Sequence, residues 1–233
     1  MTNNGYIILV EGQADLTFIR DVLKYLNKNL TSRHYEDNRE LRRITLSDET
    51  TKITLYSTMG YTRIPKIAEN IKPYIEKGRK LLIIFDADRP ETQGGFKKRR
   101  EQIIEIVKEH LEIELEATDI FLFPDNKSDG DLEDLLLQLV DKQLYDPFVE
   151  PFLKYAETIK ELPKKLNNEK IKKTFHKEIS SRKNRIFNYF QVYQGKTKAK
   201  ESGRDYLTKE GLWNFDADAL KPLIEFFNKN LNF

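Results

Sequence analysis

The sequence predicts an α/β protein in which helices flank a parallel, doubly wound sheet. Two apolar runs of five residues, at 6–10 and 81–85, are typical of strands buried on both faces of such a sheet. Around them, apolar residues recur at the 3.6-residue spacing of amphipathic helices. Strands that alternate with helices in this way are parallel and are joined by right-handed crossovers.

Four strand and helix pairs account for most of the first 147 residues. The predicted strands are 6–10, 52–57, 80–86 and 119–123, and the predicted helices are 14–30, 65–78, 96–111 and 131–145. Pro65 and Gly78 suit the beginning and the end of the second helix, because proline fits a first helical turn and glycine a C-terminal cap. Residues 31–51 are polar and charged, so we expect an exposed loop or a short hairpin there.

The pattern changes near Pro147, Pro151 and Pro163. Beyond these prolines the spacing is helical and strand signals are absent. We therefore predict an α/β domain over residues 1–147 and a basic helical region over 148–233. The helices expected in this second region are 152–159, 171–179, 185–193 and 220–231.

Composition limits the class of protein. The chain has no cysteine and three scattered histidines, so a metal ion must be held mainly by carboxylates. No apolar stretch approaches the ~20 residues of a membrane span, and the first residues lack the features of a signal peptide. We therefore expect a cytoplasmic protein with no membrane partner.

The two halves of the chain differ in charge. Acidic residues outnumber basic ones by 28 to 22 in residues 1–150, whereas basic residues outnumber acidic ones by 18 to 10 in 151–233. An acidic, metal-binding half beside a basic half suits a nuclease, although a solvated lysine-rich surface gives the same asymmetry. The candidate nucleic-acid contacts are Lys172, Lys173, Lys177, Arg182, Arg185, Lys196, Lys198 and Lys200.

Acidic residues follow the predicted strands at the edge where parallel sheets form ligand sites. Glu11 closes the first strand, and Asp15 lies about one helical turn further on. Asp86 and Asp88 follow the third strand, two residues apart and therefore on one side. Glu133 lies at the start of the fourth helix. Carboxyl ends of parallel strands meet at one edge and Mg²⁺ prefers oxygen ligands, so we predict a divalent-metal site there.

Each acidic residue also has a structural interpretation. Asp15 and Glu133 can complement the positive N-terminal ends of their helices, and Asp131 suits an N-cap. Asp86 and Asp88 are harder to explain in this way. Two carboxylates beside a buried strand repel each other unless a cation or a base lies between them.

Taken in order, these motifs resemble the TOPRIM domain. They are Val-Glu-Gly-x-x-Asp at 10–15, Asp-x-Asp at 86–88 and Gly-Asp-Leu-Glu-Asp-Leu-Leu at 130–136. The similarity spans residues 5–145 and is closest to the branch shared with OLD-type nucleases and to short TOPRIM-like proteins related to them. It implies a compact, Rossmann-like parallel sheet that uses Mg²⁺ or Mn²⁺ to cleave or join nucleic-acid phosphodiesters.

The resemblance also implies roles for individual residues. The implied ligands of two metal ions are Glu11, Asp15, Asp86, Asp88, Glu133 and, as an extra ligand, Asp131. OLD-type nucleases use a lysine beyond the TOPRIM core, and the segment 181–187 is similar to the region that supplies it. Lys183 is therefore, with Glu11, a candidate catalytic residue. No Walker A sequence occurs in the chain, so an accompanying ATPase must be a separate chain or absent.

The resulting hypothesis is a nuclease, with DNA as the favoured substrate, that hydrolyses phosphodiesters with two ions ~4 Å apart. The chain also resembles the nuclease halves of phage-defence pairs that consist of an ATPase and a nuclease. This resemblance implies a separate ATPase partner. One alternative is a haloacid-dehalogenase-type phosphatase with Asp86 as the nucleophile, although that motif should then follow the first core strand. A non-enzymatic module that binds metal or nucleic acid is the other alternative.

Overall fold

A six-stranded, mostly parallel sheet forms the centre of the protein. The computed structural model describes residues 4–37, 42–165, 180–195, 200, 204–207 and 211–231. The strands are β1 Asn4–Val10, β2 Thr31–Asp37, β3 Arg42–Ser47, β4 Thr51–Ser57, β5 Lys80–Asp86 and β6 Ile120–Phe123. They lie side by side in the order β2-β3-β4-β1-β5-β6. The predicted α/β fold class, with flanking helices and a helical C-terminal region, is confirmed.

Seven α-helices lie within the described ranges. They are α1 Gln13–Leu26, α2 Ile64–Ile75, α3 Phe96–Leu111, α4 Leu132–Leu139, α5 Lys142–Lys165, α6 Arg182–Gln194 and α7 Lys221–Asn230. The helix predicted over 131–145 is two helices, because Val140 is extended (ψ 139°) and pairs with Trp213 in an isolated bridge. α5 continues through the predicted boundary at 147 and through the three prolines. The helix predicted over 171–179 lies outside the described residues.

Strand pairing explains why the acidic residues meet. β1 pairs in parallel with β4 on one side and with β5 on the other, and β5 pairs in parallel with β6. The register aligns Val10 with Ile84, so β1 and β5 end at the same edge. Connections that return through α1, α2 and α3 restore each strand to this direction.

The region expected as a polar loop or short hairpin carries two strands. β2 and β3 pair antiparallel with each other, and β3 pairs antiparallel with β4, so they extend one side of the sheet. Ile44 and Leu46 of β3 are buried although their neighbours are polar. Of the two alternatives, the antiparallel pairing of β2 with β3 agrees with a hairpin, and an exposed loop is wrong because alternate residues of β3 face the core.

Two apolar cores cover the two faces of the sheet. One packs Ile8, Leu82 and Phe121 against helices that include α1, α4, α6 and α7, and the other packs Ile7 and Ile83 against α2 and α3. Each fully buried aliphatic or aromatic side chain contributes about 1.5–3 kcal/mol to stability. Because α6 and α7 share the first core with the sheet, the C-terminal helices stabilise the same unit as the strands.

We expect Ile103→Ala in the α2/α3 core to lower the free energy of unfolding by about 2–5 kcal/mol, because Ile103 is fully buried. Trp213, the one tryptophan of the sequence, lies on the opposite side in the C-terminal region. The unfolding transitions followed by Trp213 fluorescence and by far-ultraviolet circular dichroism should therefore move to lower urea concentration together. The exposed Val192→Ala should change little. A Trp213 transition that Ile103→Ala leaves unmoved would show that the C-terminal region unfolds separately.

Candidate functional site

The ends of β1 and β5 are in direct contact through their acidic residues. Glu11 accepts a hydrogen bond from the backbone N–H of Asp86 (3.3 Å). Asp86 Oδ1 in turn accepts the backbone N–H of Leu132 (2.9 Å), which brings the first turn of α4 and its Glu133 to the same edge. Glu11, Asp15, Asp86 and Glu133 are hereafter the acidic cluster.

Asp15 is held by the turn between β1 and α1. The Gly12 N–H donates to Asp15 Oδ2 (2.9 Å), and a Cβ at Gly12 would lie 3.0 Å from the same oxygen. Glycine therefore permits this close approach. The hydrogen bond agrees with the helix-capping interpretation of Asp15. The other oxygen, Oδ1, is buried and has no hydrogen-bond partner in the described structure.

Asp88 is paired with an arginine that the sequence analysis did not select. The Asp88 backbone exchanges two hydrogen bonds with Gly130 (2.7 and 2.9 Å), and its carboxylate forms a short ion pair with Arg99. The Arg99 guanidinium is buried and lies 3.9 Å from the centre of the Tyr61 ring. Arg99 shares the buried face of α3 with Ile103, four residues on. A basic residue on an apolar helical face is the signal that identifies it.

Asp131 is engaged in structural interactions. Its side chain caps α4 by accepting the Asp134 N–H (3.1 Å), and it forms an ion pair with Arg182 (2.8 Å). Burial, with repulsion from Glu133 and Asp134, raises the pKa of Asp131 to about 6, against the effect of Arg182. These contacts favour the capping interpretation over the predicted role as an extra metal ligand.

Burial and mutual repulsion raise the pKa values of the whole acidic cluster. Burial is the largest cause for Asp15, and Glu11 adds to it, which raises the pKa of Asp15 to about 7. Burial raises the pKa of Asp86 well above its usual range, with further increases from Asp15, Glu11 and Glu133. Burial likewise raises the pKa values of Glu11 and Glu133. These carboxylates are close enough to oppose one another's ionisation.

Three cations counter this repulsion. Lys183 lowers the pKa of three of the four members of the acidic cluster. Arg99 does the same for Glu11, and Arg204 for Glu133. Lys183, an exposed residue of α6, is therefore close enough to these three acids to favour their ionisation. No motif or periodicity surrounds Arg204 in the sequence, so sequence reasoning had no signal for it.

The donor set suits a divalent cation, although the side chains do not converge on one. Among the described residues, no three histidine, aspartate or glutamate side chains form a ready group of metal ligands. Glu11 and Asp88 are held by the Asp86 N–H and by Arg99. The unpartnered Asp15 Oδ1 and the mutual repulsion nevertheless fit a carboxylate metal site, since a cation would satisfy both.

Three of the basic candidates are described by the structure, and the others are not. Arg182 contacts α4, Arg185 lies close enough to Tyr145 to oppose the burial that raises the pKa of that hydroxyl, and Lys200 is exposed. Five candidates lie outside the described residues: Lys172, Lys173, Lys177, Lys196 and Lys198. No helix within the described ranges is long and apolar enough to cross a membrane.

The fold and site define an α/β protein with a carboxylate cluster at the ends of parallel strands. The chain belongs to a family described as "Protein of unknown function (DUF3226)", whose model matches residues 5–232. It is similar in fold to the hypothetical protein PH0156 from Pyrococcus horikoshii OT3, with a TM-score of 0.51 and 14% identity over 97% of this chain and 95% of that one. At this identity the likeness shows the fold alone. No curated protein matches the chain.

Asp15→Asn should stabilise the metal-free protein at pH 8 by about 0.5–2 kcal/mol and have little effect at pH 4. The pKa of Asp15 rises from 3.8 to about 7 on folding, so the folded state binds the extra proton between these values. The contribution of Asp15 to stability therefore falls as the pH rises from about 4 to about 7. Urea unfolding with chelator at both pH values measures this.

Glu49→Gln is the matched control for charge, because Glu49 is exposed in the turn before β4, at the opposite edge of the sheet. It should not reproduce the pH-dependent gain. Equal stabilisation by Asp15→Asn at pH 4 and pH 8 would contradict the prediction.

Proposed function

We propose that this protein is a Mg²⁺- or Mn²⁺-dependent nuclease that hydrolyses nucleic-acid phosphodiesters, with DNA as the favoured substrate. The observation that carries the proposal is the meeting of the acidic cluster, built from the ends of β1 and β5 and the starts of α1 and α4, with Lys183 of α6. Clustered carboxylates hold divalent ions, and a cation beside them suits a phosphate ligand. The resemblance of the motifs to TOPRIM nucleases supports the same conclusion.

The exposure of each residue of the site determines the role that we assign to it. Glu11, Asp15, Asp86 and Glu133 would hold the metal, which, when bound, supplies activated water and stabilises the leaving oxygen. Lys183 is exposed at the edge of the cluster, where its charge can offset that of the scissile phosphate. The buried Arg99 orients Asp88 through their ion pair and is too enclosed to reach the substrate.

The structure gives the phosphatase alternative no specific support. An aspartate nucleophile must be ionised and accessible. The Asp86 Oδ1 already accepts the Leu132 N–H, and burial with three neighbouring carboxylates opposes the ionisation of Asp86 unless a cation is bound beside it. Asp86 also follows β5, the fifth strand along the chain, rather than the first core strand β1, which ends at Glu11.

A separate ATPase partner belongs to the same proposal. No Walker A sequence occurs in the 233 residues, which is compatible with an ATPase supplied by another chain. The similarity to the effector halves of two-component phage-defence systems supports this pairing. An ATPase encoded beside this protein that changes its cleavage rate in the presence of ATP would be the expected observation.

The purified protein should nick or linearise supercoiled plasmid in Mg²⁺ or Mn²⁺, and chelator should abolish the reaction. Glu11→Gln and Asp86→Asn should each lower the rate by more than about 100-fold, because each removes a metal-binding carboxylate with little change of shape. Glu49→Gln should cleave normally. Agarose gels over a time course measure the rates.

Full activity in both site variants would contradict the assignment of the acidic cluster as the metal site. Cleavage that persists in chelator would exclude a metal-dependent reaction. Binding of Mn²⁺ or DNA without cleavage would support the non-enzymatic alternative.

Mn²⁺ binding should release protons below pH 7. Asp15, with its pKa of about 7, is mostly protonated at pH 6 and must ionise to coordinate a cation, so it alone should release roughly one proton there. Calorimetric titration at pH 6 in two buffers of different ionisation enthalpy measures the number. Asp15→Asn should reduce it, and raising the pH to 8.5 should remove the part that Asp15 contributes. A proton count that Asp15→Asn leaves unchanged would remove Asp15 from the site.

A further inference from the structure

The first residue of α6 is bound to the first turn of α4. Arg182 Nη2 lies 2.8 Å from Asp131 Oδ2, and Arg182 Nη1 forms a still shorter ion pair with Asp134. The Arg182 side chain is 28% exposed, and the two carboxylates take both of its terminal nitrogens. These contacts leave it poorly placed for the nucleic-acid phosphate predicted from sequence.

The α4 turn that Arg182 binds belongs to the candidate site. Asp131 and Asp134 each accept the backbone N–H of the other (3.1 Å), which fixes the turn between them. Within that turn the Leu132 N–H donates to Asp86 Oδ1, and the Glu133 side chain is buried. Arg182 therefore attaches α6 to the backbone segment that carries Glu133 and contacts Asp86.

Lys183 follows Arg182 directly on α6. A helix advances 1.5 Å and turns about 100° per residue, so the ion pairs of Arg182 also fix the position of the Lys183 backbone. Ser181 caps this turn by accepting the Asn184 N–H (3.3 Å), which makes the beginning of α6 well defined. The ion pairs of Arg182 thus join two helices that each carry one residue of the candidate site, Glu133 on α4 and Lys183 on α6.

We infer that Arg182 is a positioning residue that bridges α6 to α4 and so aligns Lys183 with Glu133 and Asp86. Its effect on cleavage rests on the proposed function, whereas the bridge itself rests on the contacts of Arg182. Arg89 provides a matched comparison, because it also binds Asp134 (3.1 Å) but lies outside α6. Loss of Arg89 removes a cation from the same carboxylate and leaves the bridge in place.

Arg182→Gln should lower kcat for plasmid nicking by about 10- to 100-fold with KM changed less than about threefold. Arg182→Lys, which keeps the charge, should recover part of the loss, and Arg89→Gln should stay within about threefold of the unmodified protein. The dependence of DNA affinity on salt should keep its slope in Arg182→Gln. An intact kcat with a slope flatter by about 0.9 would instead make Arg182 a phosphate contact and overturn the inference.

Hydrogen exchange tests the bridge without cleavage. With chelator present, amides of residues 183–187 should exchange about tenfold faster or more in Arg182→Gln than in Arg89→Gln, while those of α2 stay unchanged. Unchanged exchange at 183–187, or an equal rise in α2, would overturn the inference. If the unmodified protein does not cleave, the proposed nuclease activity fails while this comparison still decides whether the bridge exists.

Discussion

Repulsion between carboxylates at one edge of the sheet is the constraint that organises the site. The parallel register ends β1 and β5 together, so Glu11 and Asp86 are brought into contact by the same hydrogen bonds that build the sheet. Burial strengthens their repulsion, because the surroundings screen charge less well than water. Backbone N–H groups offset part of it, those of Gly12, Asp86 and Leu132 each donating to one carboxylate. The apolar cores on both faces supply the stability that tolerates the remainder.

The surrounding cations differ in what they can do because they differ in position. Arg99 is buried and stacked on Tyr61, which fixes its charge on Asp88. Arg182 is shared between two carboxylates of α4 and serves to join two helices. Lys183 is exposed and lies beside buried acids, so it alone of the three combines proximity to the cluster with access to a phosphate in solvent. Arg99 and Arg182 therefore hold other residues of the site in place, whereas Lys183 is the residue positioned to contact a substrate.

Sequence reasoning succeeded where the signal was local. Continuous apolar runs predicted β1 and β5, and the carboxyl ends of parallel strands placed Glu11 and Asp86 together. For residues 31–51 it left an exposed loop and a short hairpin open and missed that Ile44 and Leu46 of β3 face the core, and it failed at Val140, which interrupts a helix without a glycine or proline. The pairings of Arg99 and Arg182 depend on contacts distant in sequence, so composition and spacing could not reveal them.

The site joins the two regions that the charge pattern separates. The acidic N-terminal part supplies the strand ends and α4, but Lys183 comes from α6, whose buried face shares a core with the sheet. Among the described residues, acidic and basic parts of the chain therefore share one core. Acids in one part are held against cations in the other, and their attraction offsets the repulsion within the acidic cluster. A bound divalent cation would add to this balance and would give a partner to the buried Asp15 Oδ1, which has no hydrogen-bond partner in the described structure.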